Sequence, residues 1–257
     1  MSQPQPFSWK NSHILIADDE PDMREIFSAW FRNLGCSVTE AADGKEALDA
    51  LARQDFDAIV TDVRMPRIDG VRLVRQLRQS GRYIPVVIFV SGHVDLALPD
   101  AFDLGVEAVL AKPCEKKVLL AAVQRSLLRR NLIFQPPESV VPPSTENYIR
   151  ESLSLDAAPL YLALGRGGMS LNLRQPIDPD AAIGFSLTTE DGPLTHLEGW
   201  GLLRWYENLH QGSRIGIEFL HLDQESLAQF ARWLENHSPR SFIPKDCQSH
   251  SVFSGSP

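Results

Sequence analysis

Three cysteines in 257 residues, Cys36, Cys114 and Cys247, are odd in number and far apart. That excludes a disulfide framework or a closely spaced metal knuckle, and reads as ordinary thiols in a reducing compartment. No apolar run approaches the roughly 20 residues that span a bilayer. Met1 to Pro6 lacks the charged and apolar regions of a secretory signal. The expectation is a cytoplasmic location with no membrane insertion. Positive charge is also in deficit: 25 Lys and Arg against 33 Asp and Glu leave a formal net charge of −8. With no basic stripe and no helix-turn-helix pair, DNA is not an expected partner. Internal repeats are absent. What remains, 43% hydrophobic and 23% charged residues, is the composition of a globular chain long enough for one large domain or two ordinary ones.

The strongest pattern is a set of short apolar runs that end in chemistry. His13 to Ala17 ends in Asp18-Asp19, Ala58 to Thr61 in Asp62, Pro85 to Val90 in Ser91, and Glu107 to Ala111 in Lys112. Between them lie helical periodicities. Met23, Ile26, Phe27, Trp30 and Leu34 share one face up to Gly35, and Asp43 with Glu46 reads as a capping box. Val71, Val74 and Leu77 mark a third helix, Leu96 to Leu104 a weaker one interrupted by Pro99, and Glu115 to Arg130 a last one. Five βα units over residues 11–130 predict a doubly wound α/β fold with a parallel sheet. In such a sheet the carboxyl ends of the strands share one edge, so three carboxylates, a hydroxyl and an amine converge there. That set suits a divalent cation and a phosphoryl group.

These residues resemble the receiver domain of bacterial two-component response regulators. The resemblance covers residues 11–130 and rests on Asp18-Asp19-Glu20, Asp62-Val63-Arg64-Met65-Pro66, Asp69-Gly70, Ser91-Gly92 and Lys112-Pro113. It implies a flavodoxin-like sheet of order 2-1-3-4-5 and a sensor histidine kinase that phosphorylates Asp62. It implies Mg²⁺ held by Asp18, Asp19, Asp62 and the backbone carbonyl of Arg64. Ser91 and Lys112 would contact the phosphoryl oxygens. The family places Tyr or Phe three residues before the lysine as a switch; here that position is Val109. Arg64 and His93 flank the pocket, where they would tune water access. The protein would be a regulator rather than an enzyme, with phosphoryl gain and loss at Asp62 as its only chemistry. Phosphorylation would alter the face built by the fourth helix, the fifth strand and the last helix, and hence dimerisation or contact with the second half.

Residues 131–145 carry Pro136-Pro137 and Pro142-Pro143 and read as a semi-rigid linker. Beyond it the period changes to alternation at Leu160, Leu162 and Leu164, at Ile183, Phe185 and Leu187, and at Ile215, Ile217 and Phe219. Gly and Pro clusters separate these runs. A helix follows, capped by Asp223, with Leu227, Phe230, Ala231 and Leu234 inward. Trp200, Trp205 and Trp233 read as core. Residues 146–237 resemble a PilZ domain, a small β-barrel with a C-terminal helix, many of whose members bind cyclic di-GMP. The resemblance rests on the Leu164 to Leu171 turn, the Gly199 to Trp205 strand and the Ile215 to Leu220 strand. Arg150, Arg166 and Gly168 are the candidate nucleotide contacts. However, Glu146 stands where the family has an arginine, and Ala163 and Gly165 where it has polar ligands. A degenerate module that binds a downstream protein is therefore expected, with cyclic di-GMP binding as the alternative. Residues 1–10 and 238–257 read as tails, the latter polar, aperiodic and disordered.

Overall fold

The structure, a computed structural model, describes residues 7–80, 85–92, 96–134, 141–143, 148–153, 162–173, 182–189, 194–210 and 212–245. His93, Pro136-Pro137, Glu146, Leu160 and the tail beyond Lys245 lie outside the described residues. The chain divides into two compact units, Met1–Leu96 with Val106–Asn131, and Ala97–Gly105 with Leu132–Pro257.

The first unit alternates strand and helix: β1 His13–Ala17, α1 Pro21–Arg32, β2 Ser37–Ala41, α2 Gly44–Leu51, β3 Ala58–Thr61, α3 Gly70–Gln79 and β4 Val86–Ser91. After α4, Leu98–Asp103, which groups with the second unit, come β5 Ala108–Ala111 and α5 Lys116–Arg130. The five strands are parallel in the order β2-β1-β3-β4-β5, the order expected from the sequence. Alternate side chains of the central strands face opposite ways. Ile14, Ile16, Val60 and Ile88 therefore pack with Phe27, Phe31, Leu119 and Val123 on one face. Leu15, Ile59, Ala47, Leu73 and Leu77 fill the other. Burial on both faces explains why β1, β3 and β4 are almost wholly apolar.

Helix starts follow local chemistry. Asp43 caps α2 by accepting from the Lys45 and Glu46 N–H groups at 2.7 and 3.1 Å, while Glu46 reaches back to the Ala42 N–H at 2.9 Å. Arg67 forms an ion pair with the same Asp43 carboxylate. Burial works against ionisation of Asp43, but the Glu46 N–H, Arg67 and the Lys45 N–H hold its carboxyl below the usual range. Because the folded value is depressed, its stabilisation is present above the unfolded value of about 3.9 and is lost as pH falls through the folded one. Asp43→Ala is expected to cost about 1–2 kcal/mol at pH 7 in urea unfolding, with the gap from wild type closing well below pH ~4. Pro99, expected to interrupt α4, instead begins it after Ala97, since proline's missing N–H and fixed φ suit a helix's first turn.

The second unit holds β6 Tyr148–Leu153, β7 Leu162–Leu164, β8 Gly168–Leu173, β9 Ala182–Thr189, β10 His196–Asn208, β11 Ser213–Leu222 and α6 Gln224–His237. Its sheet runs β6-β9-β10-β11-β8-β7. Where a small β-barrel was expected, the described strands form one sheet, antiparallel except that β6 pairs parallel to β9, and no β6–β7 ladder closes it among the described residues. The core is aromatic and aliphatic, with Phe185, Phe219, Phe230 and Trp233 all fully buried. Trp200 and Trp205 are buried as well. The linker's start is not free, because Leu132 and Phe134 pack against this core.

The expected disordered tail also needs correction over residues 238–245. Phe242 and Ile243 are buried with Phe102 and Trp205. The Phe242 ring fills the space where a side chain at Gly167 would stand. Asp103 Oδ1 accepts from Ser241 Oγ and the Lys245 N–H at 2.9 and 3.1 Å. A pair of apolar residues in a polar stretch has no period to reveal it.

Candidate functional site

The parallel register puts Ala17 level with Thr61 and Ser91 level with Ala111. Asp18, Asp62 and Lys112 therefore leave their strands along one edge. Asp62 is tied in by its N–H to the Ala17 carbonyl at 2.8 Å, and Lys112 by its N–H to the Ser91 carbonyl at 2.9 Å. Gly70 lies so close to Asp62 that an added Cβ would stand 2.2 Å from the Asp62 carbonyl oxygen. Any side chain there would push the acceptor strand away. The Lys112–Pro113 peptide is cis.

Lys112 Nζ bonds three carboxylates at once: Asp18 Oδ2 at 2.8 Å, Glu20 Oε1 at 2.8 Å and Asp62 Oδ2 at 2.6 Å. Burial opposes charge on this lysine, but its hydrogen bonds to Asp18, Asp62 and Glu20 prevail and raise its pKa. It stays cationic throughout the physiological range. Burial pushes the Asp18 carboxyl above its usual range, against the pull of Lys112 and the Glu20 N–H. The other Asp62 oxygen, Oδ1, accepts from the Arg64 N–H at 3.0 Å. Asp18 Oδ1 accepts from the Glu20 N–H at 3.0 Å, and Arg24 anchors the Asp18 carbonyl at 2.6 Å. A cleft of about 570 Å³ opens over Asp62, Ser91 and Lys112, with Met23, Ile26 and Trp30 on its wall.

Asp18, Glu20 and Asp62 present carboxylate oxygens within 4.8 Å of one another. Two are buried and one is exposed, an all-oxygen set that suits a hard divalent cation such as Mg²⁺. Asp19, expected as a ligand, is exposed and its carboxylate lies outside this set, while Glu20 stands inside it. Local pattern did not mark Glu20, because β1 ends at Ala17 and the chain bends at Asp19. Val109 sits in β5, half-buried, at the place expected for an aromatic switch. Arg64 contributes its N–H to Asp62.

The nucleotide candidates Arg166 and Gly168 each have protein neighbours. Arg166 directs its guanidinium to the carbonyl oxygens of Gly105 at 2.9 Å and Arg240 at 3.4 Å. Gly168 is packed under Ile217 and Ile243. Arg150 lies in β6, paired with Ser186.

Residues 14–124 match the sequence profile of the response regulator receiver domain. A response regulator named MprA from Mycobacterium sp. (strain KMS) is 38% identical over 126 residues, 49% of this chain and 54% of that protein. Its namesake from Mycobacterium leprae (strain TN) is 35% identical over 158 residues, 62% of this chain and 66% of that protein. The chain thus spans about half the length of the first of these relatives. Among solved structures, the chemotaxis response regulator CheY4 of Vibrio cholerae is 29% identical with a TM-score of 0.41, covering 46% of this chain and 99% of that one. The Francisella response regulator 1452 receiver domain is 30% identical with a TM-score of 0.44, covering 47% and 99%. No helix among the described residues is long and apolar enough to cross a membrane.

Proposed function

Residues 14–124 being a response regulator receiver domain, we propose that the chain accepts a phosphoryl group on Asp62 from a sensor histidine kinase and relays that event through its second unit. The observation that carries the reading is the contact of one lysine with three convergent carboxylates at the strand edge. An Asp62 oxygen attacks the phosphorus of a phosphohistidine, the P–N bond breaks, and the imidazole leaves with a proton. Asp18, Glu20 or Asp19, Asp62 and the Arg64 carbonyl would hold Mg²⁺, which when bound neutralises charge on the transferred group. Lys112 adds its ammonium to the phosphoryl oxygens and Ser91 its hydroxyl. With Val109 in place of an aromatic ring, the response runs through the segment between β4 and β5. The chain leaves Ser91, enters Ala97–Gly105, which packs in the second unit, and returns to β5 and Lys112.

The second unit is, in this reading, a degenerate PilZ-like module that binds a downstream protein. Its support is the engagement of Arg166 by carbonyl oxygens and the cover of Phe242 over Gly167. Two experiments on the full chain test the proposal. Beryllofluoride with Mg²⁺ should change the oligomeric state or small-angle scattering profile; identical profiles would contradict the relay. Calorimetry with cyclic di-GMP should show no binding at micromolar concentrations, and micromolar or tighter binding would replace the interaction module with a nucleotide sensor.

A further inference from the structure

A second convergence of ligand-type side chains lies in the other unit, where β10 and β11 meet the start of α6. His196 Nε2 stands 3.3 Å from Glu198 Oε2 and 4.0 Å from Asp223 Oδ2. All three donor atoms lie within 4.8 Å of one another. The His196–Glu198 separation is close to that of two ligands on one tetrahedral ion, whose bonds of about 2.0–2.1 Å set neighbouring ligand atoms about 3.4 Å apart, and the His196–Asp223 separation is longer.

The register produces this arrangement. His196 and Glu198, two residues apart in β10, share a face of the sheet. The Asp223 N–H donates to the Glu198 carbonyl at 3.1 Å, which sets the two acidic residues across from each other. Opposed like charges destabilise a strand pair, and a cation between them removes that repulsion.

The backbone beneath these ligands is fixed by two buried polar residues of α6. Ser226, wholly buried, accepts the Glu198 N–H on its hydroxyl at 2.7 Å. Gln229, buried to 7% exposure, accepts the N–H groups of Thr195 at 2.8 Å and His196 at 3.2 Å on one amide oxygen. The Ser226 N–H holds Asp223 Oδ1 at 2.7 Å, which leaves Oδ2 toward His196. Ligand-bearing residues held this way on one strand and a helix start are preorganised.

We propose that His196, Glu198 and Asp223 bind a divalent transition-metal ion of the zinc class. One imidazole and two carboxylates occupy three positions, and the fourth falls to water. This site is separate from the phosphoryl edge and does not depend on that reading.

The test uses the full chain without an affinity tag, in excess Mg²⁺ so that the hard-cation set around Asp62 is occupied. Zn²⁺ titrated by calorimetry should bind one site. Co²⁺ in its place should give the visible absorption of a tetrahedral complex. His196→Ala, Glu198→Gln and Asp223→Asn should each weaken Zn²⁺ binding by at least about tenfold. Asparagine still caps α6, so the last variant keeps the fold. Two outcomes overturn the proposal. One is wild type binding Zn²⁺ no more tightly than folded Glu198→Gln and Asp223→Asn, as expected if a protonated His196 merely ion-pairs with the two carboxylates. The other is a Co²⁺ spectrum identical to that of the free aqueous ion.

Discussion

Asp62→Asn is expected to abolish phosphoryl uptake from acetyl phosphate, a loss of at least about a thousandfold read by intact-protein mass spectrometry. The amide is nearly the same shape, so the β3 edge and its bond to the Ala17 carbonyl should survive. What it lacks is an anionic oxygen to attack phosphorus and one of the three charges that gather the cation. Asp18 and Glu20 stay within reach of Lys112 at 2.8 Å each, so the variant tests the acceptor and not merely the charge of the cluster. Phosphorylation that persists at wild-type rate would move the acceptor elsewhere.

The second large effect concerns the second core. Phe219→Ala should destabilise that unit by about 3–5 kcal/mol. Phe219 is fully buried, with its ring 5.4 Å from Phe185 and 5.5 Å from Phe230. Truncation removes both aromatic contacts and leaves a cavity between the sheet and α6. At roughly 3–5 °C per kcal/mol for a unit between the small-domain and large-domain ranges, its thermal transition should fall by about 10 °C or more. Phosphoryl uptake at Asp62, in the other unit, should be unchanged. A fall of under about 3 °C would mean that this ring is not a core residue.

The edge of the first sheet was legible because strand ends need only a change from apolar to polar residues to be seen. Ala17 and Thr61 each precede a carboxylate that the structure brings to the amine of Lys112, which follows Ala111. Glu20 was not singled out because it lies past the end of β1 at Ala17 and past the bend at Asp19, where no strand period applies. The apolar part of the inward face of α6 was legible, since Phe230 and Trp233 are buried and Leu227 and Leu234 pack against the core, but the buried Ser226 and Gln229 were not foreseen. Polar residues that satisfy strand backbone carry no hydrophobic period, so their burial is invisible until the strands are paired. The parallel β6–β9 ladder and the buried Phe242-Ile243 pair depend on long-range contacts, which local pattern does not encode.

The most direct test of the central claim is peptide mapping of wild-type protein after acetyl phosphate, with Mg²⁺ and with EDTA in its place. The account predicts one phosphoryl adduct, on Asp62, that forms only with the cation. An adduct on another residue, or equal labelling in EDTA, would contradict it.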